Sequence, residues 1–315
     1  MLAGQTIPVV AVGDDDQSIY GWRGARVENI QRFAEDFAGT ETVRLEQNYR
    51  STATILEAAN GLIARNAGRL GKNLWTEGER GDPIALYAGF NEQDEARYIV
   101  EQAETWFGDG HCRRSIAFLY RSNAQSRVLE EGLLREGIPY RIYGGQRFYE
   151  RLEIRNALAY LRLAQTRDDD PALERVLNTP PRGIGSKTVE KLREVARAEQ
   201  IPLWQAIYRT REQRLLPARA LTALGNFQAL IDDLDRSSET LPLDELTEHV
   251  IEVSGLLDYH RSEKGERGQA RVENLQELVT ATRLFEPEDE EVSPLQAFLD
   301  SAALDAGEGQ ADPYE

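Results

Sequence analysis

The residues whose types are best suited to binding or catalysis lie in two short stretches near the start of the sequence. The first, "VAVGDDDQSIYGWRGA", covers residues 10–25 and places Gln17 just after an apolar run and three aspartates. If the run is a strand of an open parallel sheet, Gln17 falls at its carboxyl end, where such sheets hold ligand-binding side chains. A glutamine amide both donates and accepts hydrogen bonds, so it can position a water or contact a terminal phosphate.

The same stretch continues with two aromatic rings and a guanidinium. Tyr20 and Trp22 offer flat faces on which nucleobases stack without sequence preference, and Arg23 adds charge for a phosphate backbone. The alternative is an ordinary turn at a strand end whose aromatic rings return to the core. The residue types alone leave both interpretations open.

The second stretch, "RLEQNYRST", covers residues 44–52 and again follows an apolar run. Tyr49 could place its ring on a purine while the neighbouring Arg50 reaches a phosphate, which is the geometry of an arginine finger. A Tyr-Arg pair on an amphipathic surface is the alternative interpretation.

Two patterns of apolar residues predict the elements that position these side chains. Up to Tyr143, short apolar runs alternate with segments of helical period, which predicts βαβ units and a mostly parallel sheet. The predicted strands are residues 7–13, 42–48, 83–90, 114–122 and 139–145. From about Phe148 onward the sequence has helical periodicity throughout, which predicts an all-α part.

Charge and composition limit the class of protein. The 315 residues are 41% hydrophobic, enough to bury a sizeable core, and the net charge is −17. Residues 286–315 hold ten acidic and no basic residues, so the preceding part carries 44 acidic against 37 basic side chains. The overall acidity therefore does not exclude a nucleic-acid partner, and "EPEDEEVSP" is typical of a solvated loop.

Cysteine, histidine and hydropathy patterns exclude several other classes. Cys112 is the only cysteine, so neither a disulfide nor a cysteine-based zinc site can form within one chain. The three histidines, His111, His249 and His260, are far apart, and we expect no metal site built from them. No stretch approaches the ~18 apolar residues of a membrane span. We expect a cytoplasmic protein without a membrane partner.

The two stretches closely resemble motifs of the UvrD/PcrA/Rep-type superfamily 1 DNA helicases. "VGDDDQSIYGWRGA" is similar to motif III of that family and "RLEQNYRS" to motif IV. The similarity continues through "FLYRSNAQSRVLEEGLLREGIPYRIYGGQRFYE", "NTPPRGIGSKT" and "KGERGQARVENLQELVTATR". It covers essentially the whole chain, which is more specific than any single motif.

The resemblance implies a role for each candidate residue of the first stretches. Gln17 and Arg50 would be catalytic residues of ATP hydrolysis, with Gln17 near the γ-phosphate and Arg50 as the arginine finger. Tyr49 would stack on adenine, and the cofactor would be ATP with Mg²⁺. A further set would contact single-stranded DNA: Tyr20, Trp22 and Arg23.

A third stretch, "TPPRGIGSKTVEKL", could bind a phosphate backbone. Two glycines permit a tight turn, and Ser186 can cap the following helix, whose exposed amide groups attract an anion. Helix-hairpin-helix motifs use the same arrangement to contact the DNA backbone rather than the bases. The resemblance implies duplex contact by Gly183, Ile184, Gly185, Lys187 and Thr188. A plain turn between helices is the alternative.

The resemblance also implies an architecture. It is an α/β RecA-like motor, of the P-loop helicase type with an incomplete parallel sheet, followed by an all-α accessory domain. Residues 1–40 would end the first RecA-like lobe, 41–148 would begin the second, 149–304 would form the accessory domain, and 305–315 would return to the second lobe. We expect single-stranded DNA, single/double-strand junctions, and repair or replication proteins as partners, and nucleoid association.

The sequence departs from the family pattern in one essential feature. A helicase of this type needs a glycine-rich phosphate loop, and the nearest candidates have Pro181 and Ser186, or Asn66 and Asn73, at required positions. The apolar run ending at Asp14 only superficially resembles a magnesium-binding Walker B strand. We therefore expect an internal helicase fragment that is inactive alone. A DNA- or protein-binding regulatory module without ATPase activity is the alternative, and an enzyme with a degenerate phosphate loop is another.

Overall fold

The computed structural model describes residues 9–18, 26, 28–143, 145–287 and 291–307. These residues belong to two compact units, Met1–Ala88 and Gly89–Glu315, which we describe separately. The predicted lobe and domain boundaries at residues 40, 148 and 304 stay predictions. Tyr20, Trp22 and Arg23 lie outside the described residues, so their predicted contacts with DNA also stay predictions.

The described residues of the first unit form three helices and one short 3₁₀ turn. Helices α1 (Glu28–Gln31) and α2 (Phe33–Asp36) are single turns, and α3 spans Ala53–Ile63. The 3₁₀ turn, Asp15–Gln17, follows the first predicted strand.

The predicted parallel sheet is not confirmed, because the described residues contain no strand. One isolated parallel bridge joins Gln47 to Trp75. Apolar side chains of the predicted strands are exposed, among them Val12 at 90%, Leu86 at 97% and Leu119 at 90%. A parallel sheet is stable only when neighbouring strands satisfy its backbone groups and helices cover its faces. These apolar runs lack such neighbours in the described part of the chain and remain irregular extended segments.

The second unit is helical, as the periodicity after Phe148 predicts. It opens with the pair α4 (Glu92–Gly108) and α5 (Ser126–Arg135), which enclose a small apolar core of Val100, Leu133 and Ile138. The helices that follow are α6 (Leu152–Gln165), α7 (Asp170–Val176), α8 (Ser186–Glu199), α9 (Leu203–Glu212), α10 (Ala218–Ser238), α11 (Leu243–Val253), α12 (Leu256–Arg261), α13 (Glu266–Leu284) and α14 (Pro294–Gly307).

Helix α6 is the centre of this unit. Most of its side chains are buried, and α7, α10, α11, α13 and α14 all pack against it. Within the described part of the chain, no helix combines the length and apolar character that crossing a bilayer requires.

A buried polar network joins α5, α6 and α13 at the start of α6. The Arg151 guanidinium donates to Ser126 Oγ at 2.7 Å, to Asn274 Oδ1 at 2.9 Å and to the Asn123 carbonyl at 2.8 Å. Asn274 in turn donates to Glu153 Oε1 at 2.6 Å. Burial lowers the pKa of Arg151, so these partners must offset the cost of burying its charge.

We predict that Arg151→Met lowers the free energy of unfolding by about 3–5 kcal/mol, because it leaves several buried polar partners unsatisfied. Urea unfolding measures the change. The matched control is Arg283→Met, which breaks an exposed pair with Asp244 and should cost less than about 1 kcal/mol. Equal losses in the two variants would contradict a special role for the buried network.

Candidate nucleotide and DNA contacts

Gln17 lies at the end of the 3₁₀ turn and is held there by Asp14. The Asp14 side chain accepts the Asp16 N–H at 3.1 Å and the Gln17 Nε2 at 2.6 Å. The Gln17 side chain is exposed. The turn therefore presents an oriented amide at the surface.

The three aspartates before Gln17 form a compact carboxylate cluster, two members of which are paired with cations. Carboxylate oxygens of residues 14–16 lie within 4.8 Å of one another. Arg69 binds Asp16 through two parallel hydrogen bonds of 2.8 and 2.7 Å, and Lys72 is paired with Asp14. The Leu70 N–H donates to Asp15 Oδ2 at 2.8 Å.

These ion pairs keep the carboxylates of Asp14 and Asp16 charged. The hydrogen bond from Arg69 lowers the pKa of Asp16 and outweighs the opposing effect of burial. Burial acts to raise the pKa of Asp14, but hydrogen bonds from Lys72 and Gln17 bring it below its usual range. Carboxylate oxygens suit Mg²⁺, yet two cations already occupy this set, so we assign no magnesium ligand here.

The basic partners of this cluster were missed at the sequence level. Arg69 is 53 residues from Asp16 in the chain, and no periodicity links the two. The segment "GRLGKN", residues 68–73, is the phosphate-loop candidate that has Asn73 at a required position. In the structure, its Arg69 is paired with Asp16 and its Lys72 with Asp14.

Tyr49 and Arg50 project together from a turn that Asn48 closes. Asn48 Oδ1 accepts the Arg50 N–H at 2.9 Å and the Ser51 N–H at 2.8 Å. The Tyr49 side chain is 85% exposed, and its hydroxyl donates to Gln47 Oε1 at 2.8 Å. Among the described residues, the Arg50 guanidinium has no ionic partner, and no hydrogen bond links this turn to Gln17.

The exposed ring and guanidinium fit one side of a nucleotide site. An accessible tyrosine face can cover a base, and a free guanidinium can bind phosphate oxygens in a bidentate manner. The sequence contains no glycine-rich loop that would surround the remaining phosphates. The residues of this chain therefore fit part of a site for ATP, not a whole one.

The Gly183–Thr188 segment, which we call the Gly183–Thr188 turn, consists of a turn and the first three residues of α8. Gly183 has a φ of +79°, a conformation that favours glycine, and Gly185 is the residue before the first helical position. Lys187 is exposed, whereas the Ile184 and Thr188 side chains are buried. Ile184 and Thr188 therefore anchor the turn, and Lys187 is the side chain of this set that can reach a phosphate.

Acidification should lower the free energy of unfolding of the first unit, because it protonates Asp16. Because its folded-state pKa is lowered, Asp16 contributes stability at neutral pH. This contribution decreases as the pH falls below about 3.9, the value of an unpaired aspartate, and through the lower folded-state pKa. Urea unfolding at a series of pH values should show a shallower acid loss for Asp16→Asn than for the exposed control Asp82→Asn. Identical acid profiles for the two variants would contradict this role of the Arg69 pair.

Two protein-family models match this chain, and the candidate nucleotide and DNA contacts lie within the matched residues. Residues 1–38 match the model described as "UvrD/REP helicase N-terminal domain", and residues 43–313 match the "UvrD-like helicase C-terminal domain". Gln17 falls in the first match. Tyr49, Arg50 and the Gly183–Thr188 turn fall in the second.

Similar curated proteins match along the whole chain. DNA helicase II of Escherichia coli (strain K12) is 58% identical over 317 aligned residues, covering 100% of this chain and 44% of the relative. DNA helicase II of Haemophilus influenzae is 57% identical with the same coverage. The ATP-dependent DNA helicase PcrA of Bacillus subtilis (strain 168) is 41% identical, covering 96% of this chain and 41% of that protein. The chain thus spans less than half the length of these relatives, and it belongs to the UvrD-like helicase family.

Proposed function

We propose that this chain is the middle part of an ATP-dependent DNA helicase that moves 3′ to 5′ along one strand. The observation that carries the proposal is the co-linear match, in which a segment of the N-terminal helicase domain is followed directly by the C-terminal domain. The similarity to DNA helicase II extends over 100% of the chain. The proposed protein is cytoplasmic and nucleoid-associated, and acts in DNA repair or replication.

In this proposal the chain supplies one side of the ATP site. Tyr49 stacks on adenine, Arg50 stabilises the charge that develops on the transferred phosphoryl group, and Gln17 orients the attacking water near the γ-phosphate. When bound, Mg²⁺ neutralises phosphate charge. Because the phosphate loop is not in this sequence, the chain alone should not hydrolyse ATP.

The chain also supplies two DNA contacts in this proposal. Three residues that are close to Gln17 in the sequence hold single-stranded DNA: Tyr20, Trp22 and Arg23. This proximity couples ATP hydrolysis to strand movement. The turn with the exposed Lys187 contacts the duplex ahead of the junction. The substrate is therefore a junction between single- and double-stranded DNA.

Arg50→Ala in the complete protein should lower the maximal DNA-stimulated ATPase rate by about 10³-fold or more, with a much smaller change in KM for ATP. The reason is that an arginine finger stabilises charge mainly in the transition state. Arg65→Ala, which removes an exposed arginine of the same unit, is the control and should leave the rate unchanged. A raised KM with an unchanged maximal rate would make Arg50 a ground-state binding residue only.

Trp22→Ala in the complete protein should weaken binding of single-stranded DNA by roughly 1–3 kcal/mol, the value of one stacked base. Fluorescence anisotropy with a labelled oligonucleotide measures the affinity. Trp106→Ala is the control because it removes an exposed tryptophan of the second unit that has no predicted DNA contact. Unchanged affinity in Trp22→Ala would favour the alternative that Trp22 packs in the core.

A further inference from the structure

The Arg182 side chain lies where two helices end. Its Nη1 donates to the carbonyl of Val176, the last residue of α7, at 3.3 Å, and to the Pro180 carbonyl at 3.0 Å. Its Nη2 donates to the carbonyl of Ser254, the residue after α11, at 2.5 Å. Carbonyls at helix C-termini lack intrahelical partners and carry partial negative charge, so a cation is stabilised there.

The guanidinium also lies near two buried aromatic rings. Its Cζ is 5.6 Å from the centre of the Tyr160 ring on α6 and 5.9 Å from that of Phe227 on α10. Both rings are fully buried, and the Tyr160 hydroxyl donates to the Thr179 carbonyl at 2.6 Å. Arg182 therefore joins α6, α7, α10 and the end of α11 through one planar group.

The backbone around Arg182 is closed by Asn178. Asn178 Oδ1 accepts the Arg182 N–H at 2.7 Å and the Ile184 N–H at 3.1 Å. These two bonds enclose Gly183 and lead directly to the buried Ile184 side chain. The Asn178 side chain, which precedes the turn, therefore holds the backbone that leads to Lys187, and the buried Ile184 side chain attaches this backbone to the helical core.

We propose that Arg182 is a positioning residue that holds the Gly183–Thr188 turn in its DNA-binding conformation and does not itself contact a phosphate. The proposal rests on the proposed function, since it assigns the turn to duplex contact. A turn that is ordered before binding loses less conformational entropy when DNA binds, which raises affinity without an added contact.

Lysine cannot replace arginine in this role. The Arg182 guanidinium donates to three carbonyls through two nitrogens that lie in one plane. A lysine ammonium is a single compact donor group and cannot reproduce this arrangement. Arg182→Lys should therefore keep the positive charge and lose the geometry. If Arg182 instead contacted a phosphate, lysine would preserve most of the affinity, because a phosphate also accepts a point charge.

The test measures affinity of the complete protein for a single/double-strand junction over a series of salt concentrations. Arg182→Lys and Arg182→Gln should both weaken junction binding by about tenfold. Neither variant should change affinity for single-stranded DNA. The slope of log K against log salt should stay unchanged, because the number of phosphate contacts is the same.

The matched control is Lys187→Ala, whose side chain is exposed at the end of the same turn. It should weaken junction binding and reduce the salt slope by about 0.9, the amount expected for one lost phosphate contact. An unchanged junction affinity in Lys187→Ala would contradict the duplex role of the turn, and that result is independent of Arg182.

Hydrogen–deuterium exchange without DNA tests the positioning role by itself. Arg182→Lys should speed exchange in peptides covering residues 177–188, while Lys187→Ala should leave it unchanged. The proposal is overturned if Arg182→Gln reduces the salt slope by about 0.9, which would indicate a direct phosphate contact. It is also overturned if exchange and junction affinity stay at the wild-type level in Arg182→Lys.

Discussion

The cost of burying a guanidinium governs how the helices of the second unit are arranged around α6. Arg151, at the start of α6, has oxygen partners on α13 and at the start of α5, and these offset the cost of burying its charge. Arg182, beside Tyr160 of the same helix, is satisfied by carbonyls at the ends of α7 and α11. The apolar surface of α6 allows many orientations of its neighbours, whereas these directional bonds allow few.

The first unit depends on charge pairing to a greater degree than on apolar packing. Leu56 is its one described hydrophobic side chain in the buried core, while several apolar residues of the predicted strands are exposed. The pairs of Asp14 and Asp16 with Lys72 and Arg69 join segments more than fifty residues apart in sequence. Such pairs are strengthened by their partial burial and by bidentate geometry.

Local patterns predicted the helices of the second unit but not the state of the predicted strands. Helical periodicity from about Phe148 onward predicts an all-α part, and residues 152–165 form α6, because a 3.6-residue period depends only on residues that are neighbours in the sequence. A parallel strand, in contrast, is completed by partners that lie far away along the chain. Residues 42–48 illustrate this limit, since they have strand character yet form only the bridge between Gln47 and Trp75. The ion partners Arg69 and Lys72 and the helix-end contacts of Arg182 are long-range for the same reason, and no sequence signal indicated them.

The three candidate stretches nevertheless share one type of local turn that their residue types do indicate. In each of them an Asp or Asn side chain closes a turn by accepting hydrogen bonds from groups two to six residues ahead. Asp14 orients Gln17, Asn48 orients Tyr49 and Arg50, and Asn178 orients the turn before Lys187. The closing residue is held by the backbone, and the residue with the proposed chemistry is exposed. Substituting the closing residue would therefore leave the reactive group present but badly placed. A side chain that never touches a ligand can in this way be as important as one that does.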